Sequence, residues 1–165
     1  MRDPRGAQLA HVIVHHSTQL QPGDAVLIEA FDAPDAIVLD LVEAVYAANA
    51  IPIVSLRHNE VIRAQLRGAT PEFLDKTCAI ELFQMKQVQA YVGLRGSQNI
   101  SELSDVPADR MSAYQEKVLK PVSFDYRVPH TRWVVLRWPS PSMAQQAGMS
   151  TEAFEDYYFR VCTLD

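Results

Sequence analysis

Four short apolar runs, each separated from the next by helix-forming sequence, constrain this chain more than any other feature. They are Ala25–Ala30, Ile51–Leu56, Tyr91–Leu94 and Trp133–Trp138, and most are rich in β-branched residues. Such runs read as strands, and strands that alternate with amphipathic helices join by right-handed crossovers into a parallel sheet. The expected fold is therefore three-layer α/β, a mainly parallel sheet of about four strands with helices on both faces. A chain of 165 residues makes one domain with length for a real core.

The segments between the strands carry helix punctuation. Residues 4–19 read as an amphipathic helix with Leu9, Val12, Ile13 and His16 on one face. After the turn Gln21-Pro22-Gly23-Asp24 and the first strand, Asp32 is expected to cap a helix whose stripe is Val38, Leu41, Val42 and Val45. Asn49 suits the left-handed position that ends it. A short helix over 59–67 stops at Gly68, and Thr70-Pro71-Glu72 opens a longer one with Leu74, Cys78, Leu82, Met85 and Val88 inward. Residues 95–105 read as a polar loop. Pro107 opens a helix with Met111, Tyr114 and Val118 inward that should end before Pro121, leaving 124–130 irregular. A last helix runs from Thr151 to the C-terminus, with Phe154, Tyr157, Tyr158 and Val161 at helical spacing. Trp133 and Phe154 are expected in the core.

Composition excludes several functions. Hydrophobic residues make up 48% and charged ones 21%, a globular balance, and the net charge of -5 argues against nucleic-acid binding. No apolar run reaches membrane-spanning length and no signal peptide is visible, so the expected location is the cytoplasm. Cys78 and Cys162 match no metal or redox spacing and read as buried thiols of a reducing compartment, with a disulfide between them as the other reading.

Common catalytic signatures are missing. The turn after the first strand, Ala30 to Asp35, has no glycine and two acids, so a dinucleotide fingerprint is absent. Gly93-Leu94-Arg95-Gly96-Ser97 lacks the G-K-[ST] of a Walker loop, and no G-x-S-x-G elbow occurs. His11 and His15 have the spacing of two metal ligands on one helical turn, but Val12, Ile13 and Val14 stand where a zincin needs a glutamate.

The C-terminal third carries a resemblance. Arg132-Trp133 with Leu136 and Pro139 fits R-W-x-x-L-x-x-P; Ala144 with Ala147-Gly148-Met149-Ser150 fits A-x-x-A-G-M-S; and Glu152–Phe159 reads EAFEDYYF. This order resembles the thermophilic metallo-aminopeptidases, the leucyl aminopeptidase-type group of aminopeptidases T and S. The resemblance implies that residues 1–165 are the N-terminal domain of a longer, dimeric peptidase that removes N-terminal residues from peptides. It also implies two divalent metal ions, of zinc or cobalt type, held by glutamates, histidines, an aspartate and a tyrosine of a separate C-terminal catalytic domain. No position here matches that ligand set, so no catalytic or metal-binding residue and no cofactor is assigned to this chain, which alone is expected to be inactive.

Geometry then indicates where a functional surface should lie. Parallel sheets take ligands beyond the carboxyl ends of their strands. The candidate cleft-facing residues there are Arg57, His58, Arg95, Ser97, Gln98, Asn99 and Trp138. Gly93 and Gly96 are expected to let the Arg95–Asn99 loop approach the C-terminal domain. The alternative is a stand-alone flavodoxin-like module that binds a small ligand or a partner.

Overall fold

The computed structural model describes residues 3–163. Its centre is a four-stranded, all-parallel sheet in the order β2-β1-β3-β4, formed by Ala25–Phe31 (β1), Ile51–Arg57 (β2), Ala90–Arg95 (β3) and Arg132–Arg137 (β4). Strand order reverses between β1 and β3, the switch point at which open α/β sheets form their crevice.

The period of two sends alternate side chains to opposite faces. On one face, Val26, Ile28 and Ala30 of β1 and Ala90, Val92 and Leu94 of β3 pack into a single apolar cluster. It is closed by α1 (Pro4–Val12), α2 (Asp35–Ala47) and residues Tyr158 and Phe159 of α8 (Thr151–Cys162). On the other face, Leu27 and Tyr91 meet Leu74, Met85 and Val88, from α4 (Pro71–Lys86) and the residues just after it, together with Val118 and Val122. The short helix α3 (Asn59–Arg67) precedes α4, and α5 (Ala108–Tyr114) leads into a long π-helical stretch, Gln115–Arg127, that bears Val118 and Val122.

Local capping follows the sequence. The hydroxyl of Thr70 accepts from the Phe73 N–H at 3.2 Å, and that of Ser150 accepts from the Ala153 N–H at 3.2 Å. Asn49 takes the left-handed conformation, with φ of 56°.

Several expectations are corrected. The first helix widens at Ile13–Ser17, where the Thr18 N–H reaches back five residues to the Ile13 carbonyl at 2.9 Å. The wider turn rotates the apolar face, so Val14 is buried and His16 is exposed. The helix does not end before Pro121. It runs on through Arg127 and a turn, α6 (Val128–His130), because Val118 and Val122 anchor it on both sides of the proline. The stretch between β4 and α8, expected as a loop, holds α7 (Pro141–Gln146).

The sheet is covered on both faces only at its centre. β4 is an edge strand, so Trp133 is 43% exposed instead of being core. β2 is the other edge, and its Ile51, Val54 and Leu56 are exposed. On α8 the buried pair is Tyr158 and Phe159, whereas Phe154 is half-buried and Tyr157 and Val161 are exposed. The final residues, Leu164 and Asp165, to which the expected last helix extends, lie outside the described residues.

Candidate functional site

Three of the four strands end in the same dipeptide: Leu56-Arg57, Leu94-Arg95 and Leu136-Arg137. Alternation sends the leucines to the apolar face and the arginines to the other. The strand register then aligns Arg57, Phe31, Arg95 and Arg137 in one row across the carboxyl edge of the sheet. The guanidinium carbon of Arg95 lies 4.0 Å from the Phe31 ring centre and that of Arg57 lies 5.7 Å from it, within cation–π range.

Two residues toward the amino end on the same face, Glu29 is buried at 9% exposure between Ser55 and Gly93. Arg57 bridges it to the helical layer, with Nη2 2.8 Å from Glu29 Oε1 and Nη1 2.7 Å from Glu81 Oε1. The Tyr91 hydroxyl donates to Glu29 Oε2 at 2.6 Å and accepts from Arg95 Nη2 at 2.6 Å. Burial opposes the charge of Arg57, yet Glu29 and Glu81 outweigh it and hold the guanidinium pKa above its ordinary value. Burial, reinforced by Glu29, pushes the Tyr91 phenol well up, and burial with Glu81 pushes Tyr114 up to about 12. Both phenols therefore keep their protons at neutral pH.

Gly93 makes this arrangement fit. A Cβ there would lie 3.0 Å from the Tyr91 ring and 3.1 Å from its hydroxyl oxygen, so the bare backbone lets the ring lie along β3 toward Glu29. Gly96 has a similar role. Its Cβ would meet the Asp32 carbonyl oxygen at 2.5 Å, and its N–H donates to the Phe31 carbonyl at 2.7 Å. Both glycines thus serve close approach within this domain.

Beyond the arginine row opens a cleft of about 530 Å³, whose lining includes Phe31, Asn59, Arg95, Ser97, Val135 and Arg137. A second cavity of about 310 Å³ is lined by Asp32, His58, Gln98 and Asn99, among others, and shares Asn59, Ser97, Asn99 and Glu102 with the first. Asp32 ties the loops together. It does not cap α2. With φ of 44°, it turns its carboxylate to the start of α3, accepting from the Asn59 N–H at 3.1 Å and from Asn59 Nδ2 at 2.6 Å. His58 Nδ1 lies 3.1 Å from the other Asp32 oxygen. The 97–99 loop is braced by Ser97 Oγ donating to the Asn99 carbonyl, and by Ser142 Oγ donating to the Ser97 carbonyl, each at 2.7 Å.

Of the residues expected at this edge, Arg95, Ser97 and Asn99 line the larger cleft, while His58, Gln98, Ser97 and Asn99 line the smaller. Arg57 points beneath the row to Glu29 and Glu81. Trp138 lines neither cavity. Its ring packs edge-on against Tyr158 at 6.2 Å and Phe159 at 5.8 Å, in the apolar layer on the opposite face. Sequence reasoning missed Glu29, Tyr91, Arg127 and Arg137. Two signals could have found two of them: a lone acid inside an apolar strand marks Glu29, and the Leu-Arg ending repeated on three strands marks Arg137.

The larger cleft sets Arg95 and Arg137 against Glu102, whereas the smaller cavity carries Asp32, Glu60 and Glu102 beside His58. Among the described residues, no group of three or more His, Cys, Asp or Glu side chains could hold a metal ion. Glu29 and Glu81 are committed to Arg57. The His11 and His15 rings lie 4.3 Å apart on the exposed side of the first helix, and neither residue lines the cleft. No helix among the described residues is long and apolar enough to cross a membrane.

Comparison with known proteins agrees with this architecture. Among solved structures, wild-type AmpT from Thermus thermophilus matches with a TM-score of 0.73 at 18% identity, over 97% of this chain and 43% of that one. Identity at that level shows the shared fold, and the chain spans less than half the length of that structure. CurK enoyl reductase (13% identity, 94% of this chain, 48% of that one) reaches a TM-score of only 0.37. An alcohol dehydrogenase superfamily protein from Novosphingobium aromaticivorans (13% identity, 96% and 48%) also reaches only 0.37, too low in both cases to carry an argument. No curated protein matches. A family model described as thermophilic metalloprotease (M29) matches residues 3–165, essentially the whole chain, and the chain therefore belongs to the thermophilic metalloprotease family.

Proposed function

We propose that this chain is the N-terminal domain of a metal-dependent aminopeptidase that releases N-terminal residues from peptides, and that its carboxyl-edge cleft walls the active-site cavity. The observation that carries the reading is the family match over residues 3–165 combined with a polar, arginine-lined cleft at the switch point of the sheet. Family membership implies divalent metal use, and among the described residues no group of three or more His, Cys, Asp or Glu side chains could hold a metal ion. The reading therefore assigns two zinc- or cobalt-type ions to a C-terminal catalytic domain and gives this chain a supporting role. That domain and the peptide substrate are its partners, with a homodimer as the full-length assembly and the cytoplasm as its location.

The role left to this chain is binding and orientation. Arg95 and Arg137 present positive charge to the cleft, and Asn59, Ser97 and Asn99 add uncharged donors and acceptors around it. Such a wall can hold a carboxylate through two-pronged contacts and keep a peptide backbone in one orientation. The alternative of a stand-alone ligand-binding module has one observation in its favour, the position of the same cleft at the switch point.

The test is an assay of aminoacyl p-nitroanilide hydrolysis by the full-length natural protein and by residues 1–165, with elemental analysis of both. The reading expects chelator-sensitive turnover and bound metal in the full-length protein, and neither in residues 1–165. Metal-dependent turnover by residues 1–165 that survives repurification would place the active site in this chain and overturn the assignment.

A further inference from the structure

Beneath the arginine row lies a smaller cavity of about 40 Å³, lined among others by Glu29, Arg57, Glu81, Arg95, Tyr114 and Arg127. A single water needs roughly 10–15 Å³ of such space, so there is room for one small ion. The lining carries three guanidinium groups against two carboxylates. Arg57 engages both acids. Arg95 reaches Glu29 only at 3.9 Å and directs one nitrogen to the Tyr91 hydroxyl, leaving its Nη1 buried and without a partner. Arg127 lies over the rings of Tyr91, at 4.5 Å, and Trp133, at 5.7 Å, and its Nε is likewise buried and unpartnered. A buried N–H without an acceptor is costly, even on a side chain that, like Arg95, is partly exposed.

We propose that this cavity binds one small monovalent anion, of the size of chloride or bromide, held by Arg95 and Arg127. One such ion offsets the single excess positive charge and supplies an acceptor for the two orphaned N–H groups. A dianion would leave the pocket net negative beside Glu29 and Glu81. Arg127 closes the long π-helical stretch and Arg95 ends β3 in the cleft, so the ion would fasten the helical layer to the cleft floor. The inference concerns this chain's own folding and does not depend on the peptidase reading.

The test uses the full-length protein, melted in sodium gluconate and in sodium bromide at equal ionic strength. Bromide should raise Tm by about 5 °C at roughly a hundred times its Kd, the rise following the logarithm of concentration beyond that. Arg127→Met should abolish the anion dependence, and Arg127→Lys should restore part of it. Should Arg127→Met fail to fold, crystals of the unmodified protein grown in bromide decide the matter. An anomalous peak within hydrogen-bond distance of Arg95 and Arg127 is expected. A Tm indifferent to bromide, an equal rise in Arg127→Met, or no peak in the cavity would each overturn the proposal.

Discussion

The two faces of this sheet are built from the same strands and obey different physics. On one, β1 and β3 present Val26, Ile28, Ala30, Ala90, Val92 and Leu94, apolar from end to end. On the other they begin with Leu27 and Tyr91 and then turn polar, to Glu29, Gly93 and Arg95, as the chain nears its carboxyl edge. The first face holds the fold together by excluded water, which is non-directional and tolerates small changes of shape. The second holds charges whose geometry must be right, because each depends on a partner. The apolar face thus rests on burial and the ionic face on paired charges, and the ionic one opens onto the cleft.

The sharpest way to break this comparison is to remove one member of the ionic face. Glu29→Ala should lower unfolding free energy by about 3–5 kcal/mol, because Arg57 loses a buried partner. On an Arg57→Met background the same change should cost much less, a coupling of roughly 0.5–3 kcal/mol. The neighbouring apolar position behaves otherwise: Ile28→Val should cost about 0.5–1.5 kcal/mol on either background. Urea melts of the five variants measure all of this, and additive losses at Glu29 and Arg57 would show that the ionic cluster is not a unit.

Gly93→Ala sharpens the comparison at the next level. The added methyl presses on the Tyr91 ring and hydroxyl, so it should destabilise the protein by about 1–3 kcal/mol. A neutral or stabilising effect would mean that Tyr91 can move and that its bond to Glu29 is not constrained.

The smallest effect belongs to the opposite end of the sheet, where the Asp24 carboxylate pairs with Arg132. Burial raises the Asp24 pKa, but Arg132 and the Gln21 N–H outweigh it and hold the carboxyl below its ordinary value. A depressed folded pKa contributes stability that is present above the unfolded value of about 3.9 and is lost as pH falls through the folded one. Asp24→Asn should therefore be less stable at neutral pH and lose less stability below about pH 4. Parallel acid titrations of the two proteins would disprove the linkage.

Much of the fold was legible because its signals are local. The apolar runs mark all four strands, and Thr70, Ser150 and Asn49 punctuate helices through bonds or dihedral angles within a few residues. What was not legible depends on distant parts of the chain. Trp133 reads as core until β4 is known to be an edge, and Pro121 reads as a helix end until Val118 and Val122 are seen to anchor both sides of it. The carboxyl edge was found from the rule for parallel sheets, and Arg95, Ser97 and Asn99 line the larger cleft there. The Glu29–Arg57–Glu81 bridge was not, since it spans β1, β2 and α4, and Trp138 was misplaced because its partners on α8 lie some twenty residues ahead.

Arg137 gives the most direct test that the ionic face is the working one. It lines the cleft at the end of β4 and is exposed, so it can be removed without disturbing the buried cluster. The measurement is kcat/KM of the full-length protein and its Arg137→Ala variant on a series of short peptides, with Tm recorded for each. A charge-assisted contact to substrate of about 1.5–3 kcal/mol corresponds to a fall of roughly tenfold or more. The account predicts that fall at an unchanged Tm. Unaltered kcat/KM across the series would contradict it and leave the arginine row as a structural feature of the sheet edge.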